Sequence, residues 1–113
     1  MGQPQTVICT YRLQNGKEAE FTRLLERHWP TLRKAGLATD TPPQIYKGKD
    51  ESGKTFIVEI FSWKDEQAPG IAHQLPEVMA VWEPMGALVE ERLGRPKMEF
   101  PHVQPVRVSF ATA

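Results

Sequence analysis

The chain has 113 residues, 40% of them hydrophobic and 25% charged, and its 14 basic and 14 acidic side chains cancel. That length suits one domain burying roughly two thirds of its unfolded surface, and no apolar stretch reaches the ~20 residues of a membrane-spanning helix. Balanced charge without a Lys/Arg cluster removes the attraction that nucleic-acid binders use, so neither nucleic acid nor a membrane is an expected partner.

A single cysteine, Cys9, excludes an internal disulfide, and no charged leader followed by an apolar core opens the chain. A reducing cytoplasm is the expected location.

In chain order, TVICTYRL (6–13) is the first strand, with Val7, Cys9, Tyr11 and Leu13 on one face and Ile8, Thr10 and Arg12 on the other. Helix one follows from about Gly16 to Ala35. Asn15 and Glu18 have capping-box spacing there, and Phe21, Leu24, Leu25, His28, Trp29 and Leu32 form a stripe at helical spacing. Pro30 is expected to kink or restart this helix, since proline lacks the amide donor, and Gly36 to end it. QIYKGK and 54–63 then make a hairpin about DESG, where Gly53 can take positive φ. KDEQAPG breaks the regularity. A second helix begins at Pro76 and carries Val78, Val81, Trp82, Met85, Leu88, Val89 and Arg92, with a bend expected at Pro84 and Gly86. The tail from Arg95 has strand formers but also Pro101 and Pro105, which suit an edge strand or an extended arm.

The order β-α-β-β-α-β is the split βαβ, ferredoxin-like plan, an α+β antiparallel sheet with strands one and three in the centre. The expectation is a single domain over 1–113, with a core at about 6–100 and an arm or edge strand over 96–110. Two helices cover one face of such a sheet. Because strands one and three are apolar on both faces, a second copy is the simplest cover for the other, giving a homodimer through the sheet face.

TFIVEIFSW (55–63) raises a specific question. Phe56, Val58 and Ile60 point one way and Ile57, Phe61 and Trp63 the other, so both faces are expected to be covered, yet Glu59 sits in the middle. A buried carboxylate is costly without partners, so Glu59 is either paired for structure or part of a site.

NGKEAEF opening helix one, VEIFSWKDE on strand three and HQLPEVMAVW at the entry to helix two together resemble the dimeric α/β-barrel superfamily, the antibiotic biosynthesis monooxygenase-like domains, over residues 6 to about 100. The resemblance implies a ferredoxin-like subunit pairing into an α/β barrel. It implies a small-molecule enzyme, either a cofactor-independent oxygenase or an isomerase, acting by proton abstraction next to a carbonyl. It also carries two residues over by motif, Glu59 and His73, as neighbours under the helix layer. They would form a general acid/base pair, with a structural hydrogen bond fixing helix two to the sheet as the alternative. In haem-degrading relatives a helix-two histidine binds iron. Here that region reads VWEPM, with Glu83 near the expected place, so haem ligation is not implied.

Trp63, Trp82, Phe61 and Met85 could wall an aromatic pocket for a flat apolar ligand, or serve simply as core. Arg12 and Tyr46 could reach such a pocket, or Arg12 could pair with Glu59 across strands. His102 could enter it from the last strand. His28, on the apolar stripe of helix one, reads as a satisfied core or interface histidine, and Cys9 as packing. No metal-ligand spacing, phosphate-binding glycine loop or Ser-His-Asp signature occurs, so no metal or other cofactor is expected, and an oxygenase would draw its electrons from the substrate. A non-catalytic small-ligand-binding or assembly module is the competing reading.

Overall fold

The computed structural model describes residues 2–111. β1 (Gln5–Arg12) and β3 (Thr55–Trp63) run antiparallel through the middle of the sheet, and β2 (Gln44–Lys49) pairs with the outer side of β3. Beyond β1 lie β4 (Met98–Glu99) and β5 (His102–Val103). The order β2-β3-β1-β4 is the ferredoxin-like one, with the two most apolar strands central. β4 and β5 share one register on β1. The ladder breaks at Phe100 and Pro101, because Pro101 has no amide to donate, although its carbonyl still accepts from Ile8 N at 3.0 Å.

The β1–β3 register sets both faces. Cys9 lies opposite Glu59, Val7 opposite Phe61 and Tyr11 opposite Ile57, and all six are buried on the side that packs the helices. Ile8 opposite Ile60, Thr10 opposite Val58 and Arg12 opposite Phe56 occupy the other side. There Ile8, Phe56, Val58 and Ile60 are only half-buried.

The long helix α1 (Glu18–Lys34) covers the buried face with Phe21, Leu25, His28 and Leu32. The expected capping box does not form. Glu18 is the first helical residue and its carboxylate accepts from Lys47 Nζ at 3.0 Å, while the chain enters through a turn in which Gly16 takes φ 76°. Nor does Pro30 interrupt α1. Pro30 and Glu26 are both exposed, so the carbonyl that proline deprives of a donor faces water.

Two further expectations are corrected. The break at KDEQAPG is a turn whose APG end opens a short extra helix, α2 (Ala68–Ala72), with the Asp65 carboxylate accepting from the amides of Gln67 and Ala68 at 3.0 Å. The next helix, α3 (Pro76–Gly86), stops at the Pro84-Met-Gly86 stretch instead of bending through it. Leu88, Val89 and Arg92 therefore leave the helical stripe. Val89 bridges to Leu13, and Glu90 N donates to the Arg12 carbonyl at 2.8 Å. A tight turn at Leu93 and Gly94, both with positive φ, then reverses the chain, with Arg92 and Arg95 exchanging backbone hydrogen bonds.

Arg92 is buried at this turn. Its guanidinium donates to the carbonyls of Leu13 (2.6 Å) and Thr55 (2.7 Å) and to Asp50 in the β2–β3 turn (2.7 Å). Hydrogen bonds from Ser52 and then Arg92 hold the Asp50 carboxyl well below the usual carboxylate range. Three chain reversals are thus tied together by one planar fork.

Candidate functional site

Glu59 is fully buried, and its partners come from two other elements. Tyr11, diagonal to it on β1, donates its hydroxyl to Glu59 Oε1 at 2.8 Å. His28 on α1 approaches the same carboxylate through Nδ1, at 2.9 Å from Oε1 and 3.1 Å from Oε2. The other ring nitrogen, Nε2, lies 2.9 Å from Trp82 Nε1 on α3. A helix, two strands and a second helix are thereby joined through one line of side chains, and among the described residues no buried side-chain nitrogen or oxygen lacks a partner.

Burial, followed by the nearby Glu59 carboxylate, raises the Tyr11 hydroxyl well above its ordinary range, so the phenol stays protonated and donates. The same two causes, burial first, raise the Cys9 thiol well above its ordinary range. Cys9 is therefore a packing residue and not a nucleophile.

Beside this line of bonds lies a pocket of about 310 Å³ between the sheet and α2–α3, closed at one edge by the 98–102 segment. Its walls are mainly apolar and aromatic, with Phe61, Trp63 and Trp82 forming a cluster. Trp82 meets Trp63 edge-on at 6.2 Å between ring centres, and Phe61 lies 5.2 Å from Trp63. His73, Glu83 and His102 supply polar groups at the wall, and all three are exposed. His73 stands edge-to-face on Trp82 with ring centres 4.8 Å apart. Among the described residues its side chain makes no hydrogen bond.

The residues singled out in the sequence divide into three groups. Phe61, Trp63, Trp82, His73 and His102 meet at the pocket. Glu59 lies behind it, with Tyr11 and His28 between. Arg12 and Tyr46 are elsewhere: both lie on the opposite sheet face, where Arg12 pairs with Glu99 at 2.6 Å and with the Pro96 carbonyl, and Tyr46 is 57% exposed. The register places Arg12 opposite Phe56, so the cross-strand Arg12–Glu59 pair is ruled out.

The expected Glu59–His73 contact is likewise replaced. The extra helix α2 carries His73 to the pocket rim, and Glu59 takes its hydrogen bonds from Tyr11 and His28. His28 is the satisfied core histidine expected from the sequence, buried with both ring nitrogens hydrogen-bonded, but its pairing with Glu59, like that of Tyr11, was not read there. The available signal was that Glu59 and His28 are each a polar residue inside an otherwise apolar face, and each removes the other's burial penalty.

Among the described residues, no group of three or more His, Cys, Asp or Glu side chains is placed to hold a metal ion. No helix of the described residues is long and apolar enough to cross a membrane.

A ferredoxin-like antiparallel sheet with a helix layer over one face is the fold of the antibiotic biosynthesis monooxygenase-like proteins. The chain superposes on a conserved protein from Methanosarcina mazei Go1 with a TM-score of 0.67 at 13% identity, over 90% of this chain and 92% of the other. It superposes on an antibiotic biosynthesis monooxygenase with a TM-score of 0.64 at 13% identity, over 91% and 99%. For SnoaB, a cofactor-independent oxygenase from Streptomyces nogalater, the TM-score is 0.60 at 15% identity, over 94% and 96%. At these identities the likeness is one of fold. No family model matches the chain, and no match was found among curated proteins.

Proposed function

We propose that the protein is a small-molecule enzyme that takes a flat, largely apolar, carbonyl-bearing compound into the pocket and removes a proton from the carbon next to the carbonyl. The observation that carries this reading is the pocket itself: aromatic walls from Phe61, Trp63 and Trp82, with the imidazole of His73 on the same wall and, among the described residues, not hydrogen-bonded. His73 is the proposed base. Its Trp82 contact holds the ring, and the unprotonated ring nitrogen is the one that accepts the substrate proton. Glu59 acts behind the wall through its hydrogen bonds and not by touching substrate. The fold neighbour described as a cofactor-independent oxygenase supports a reaction in which the substrate carbanion itself reduces oxygen. Returning the proton to a different carbon would make the same site an isomerase.

One observation favours a second reading, a non-catalytic binding module. Glu59 is sealed from the pocket with its hydrogen bonds satisfied, as a purely structural carboxylate would be. Deuterium exchange separates the two. Ligands found in a thermal-shift screen of quinones, flavonoid-like phenols and keto acids are incubated with the protein in D2O, and their C–H positions next to the carbonyl are followed by NMR. The enzyme reading expects protein-dependent label uptake that His73→Ala abolishes while ligand binding persists. Uptake at the uncatalysed rate with tight binding would establish the module.

We also infer a homodimer through the outer sheet face, where Ile8, Phe56, Val58 and Ile60 form an aliphatic and aromatic patch with no helix over it.

A further inference from the structure

The line of hydrogen bonds behind the pocket has a direction that its donors dictate. An indole nitrogen can only donate, so at 2.9 Å from Trp82 Nε1 the His28 Nε2 atom must present its lone pair. The ring proton is then on Nδ1, and His28 donates it to Glu59. Glu59 receives a second donor from Tyr11 and contributes none itself. Reversing any one bond would set two donors or two acceptors against each other in a buried site, so the line holds as a unit. Tyr11 and His28 reach the pocket wall, and Trp82 at the outer end is the aromatic wall itself. Trp82 is half-buried, forms one wall, and touches both Trp63 and His73 through its ring.

We propose that His28 is a positioning residue for the pocket: as the acceptor for the Trp82 indole it fixes that wall, and through the wall the ring of His73. The proposal rests on reading the pocket as a substrate site. A role confined to solvating Glu59 would need only the Nδ1 donor. A positioning role needs the Nε2 acceptor, and the two can be separated. In His28→Asn the amide nitrogen falls near the former Nδ1 and keeps a donor for Glu59, but nothing accepts from the indole. In His28→Gln the longer amide places its oxygen near the former Nε2, where it accepts from Trp82, and Glu59 loses a donor.

The test measures the tautomer of His28 and the exchange rate of the Trp82 indole proton by ¹⁵N NMR, together with the affinity of the flavonol kaempferol. In the native chain His28 is expected to show a protonated Nδ1 and an unprotonated Nε2. His28→Asn is expected to expose the indole proton to fast exchange and to weaken kaempferol about fivefold, the scale of one lost hydrogen bond. His28→Gln should retain both properties, even if it is the less stable of the two. An Nε2-protonated tautomer in the native chain, or pocket properties that follow His28→Asn instead of His28→Gln, would overturn the proposal. If neither variant folds, Trp82→Phe keeps an aromatic wall without the donor, and unchanged kaempferol affinity in that variant would overturn it too. Failure of the native chain to bind kaempferol counts against the substrate-pocket reading alone, because the tautomer and exchange measurements need no ligand.

Discussion

Glu59 occupies a position where hydrophobic burial would be cheaper, and the structure offsets the cost with two donors, while among the described residues no lysine or arginine forms an ion pair with it. Each donor therefore matters more than an average hydrogen bond. Tyr11→Phe keeps the ring that packs on Phe21 at 4.8 Å and removes only the hydroxyl, leaving the carboxylate with His28 alone. A loss of about 1–3 kcal/mol is expected, read as a lower urea midpoint at unchanged slope. A change near zero would mean that the Tyr11 hydroxyl adds nothing net to holding Glu59 in the core. The burial of this carboxylate was legible in the sequence, because apolar neighbours on both sides of the strand leave it no route to water. Its partner was not. The family resemblance pointed to His73, and only the fold of α2 shows where that residue goes, whereas His28 meets Glu59 through packing of α1 on the sheet.

At the scale of elements, strands and the first helix were readable because their apolar periods are long and unbroken. The C-terminal third was less so. Steps of three and four continue from Val78 to Arg92, but Pro84 and Gly86 lower helix propensity enough that tertiary bonding decides the outcome: Val89 and Glu90 gain a strand partner in Leu13 and Arg12 by leaving the helix. The same segment turns through Leu93 at φ 55°, a left-handed conformation that a branched side chain adopts at a cost. Leu93 is 51% exposed, so little burial is lost by changing it. Leu93→Asn, with Gly94 retained, supplies the residue pair this turn favours and is expected to raise stability by about 1 kcal/mol. Thermal unfolding checks it, and a lower melting point would show that the Leu93 side chain packs in a way its exposure conceals.

Over the whole molecule, the extents of 47 × 40 × 23 Å describe a flat body, one sheet and one helix layer deep. The radius of gyration, 15.4 Å, exceeds the ~13 Å of a compact chain of this length. Both values are consistent with an outer sheet face that no helix of the described residues covers and with residues 104–111, which carry no helix or strand and are exposed throughout. Sedimentation is expected to give twice the chain mass. Val58→Lys, which sets a charge in the centre of the outer face opposite Thr10 and Tyr46, should give the single-chain mass with the pocket intact. A native chain that sediments singly would remove the dimer. The extended residues carry Val106 (80% exposed), Val108 (57%) and Phe110 (85%) at every second position, the pattern of a strand awaiting a cover. In the proposed dimer such a tail would tie the protein's durability to its abundance. Dilution would strip a shield that mass action restores, so heat resistance measured in a scarce sample would understate what a crowded one possesses.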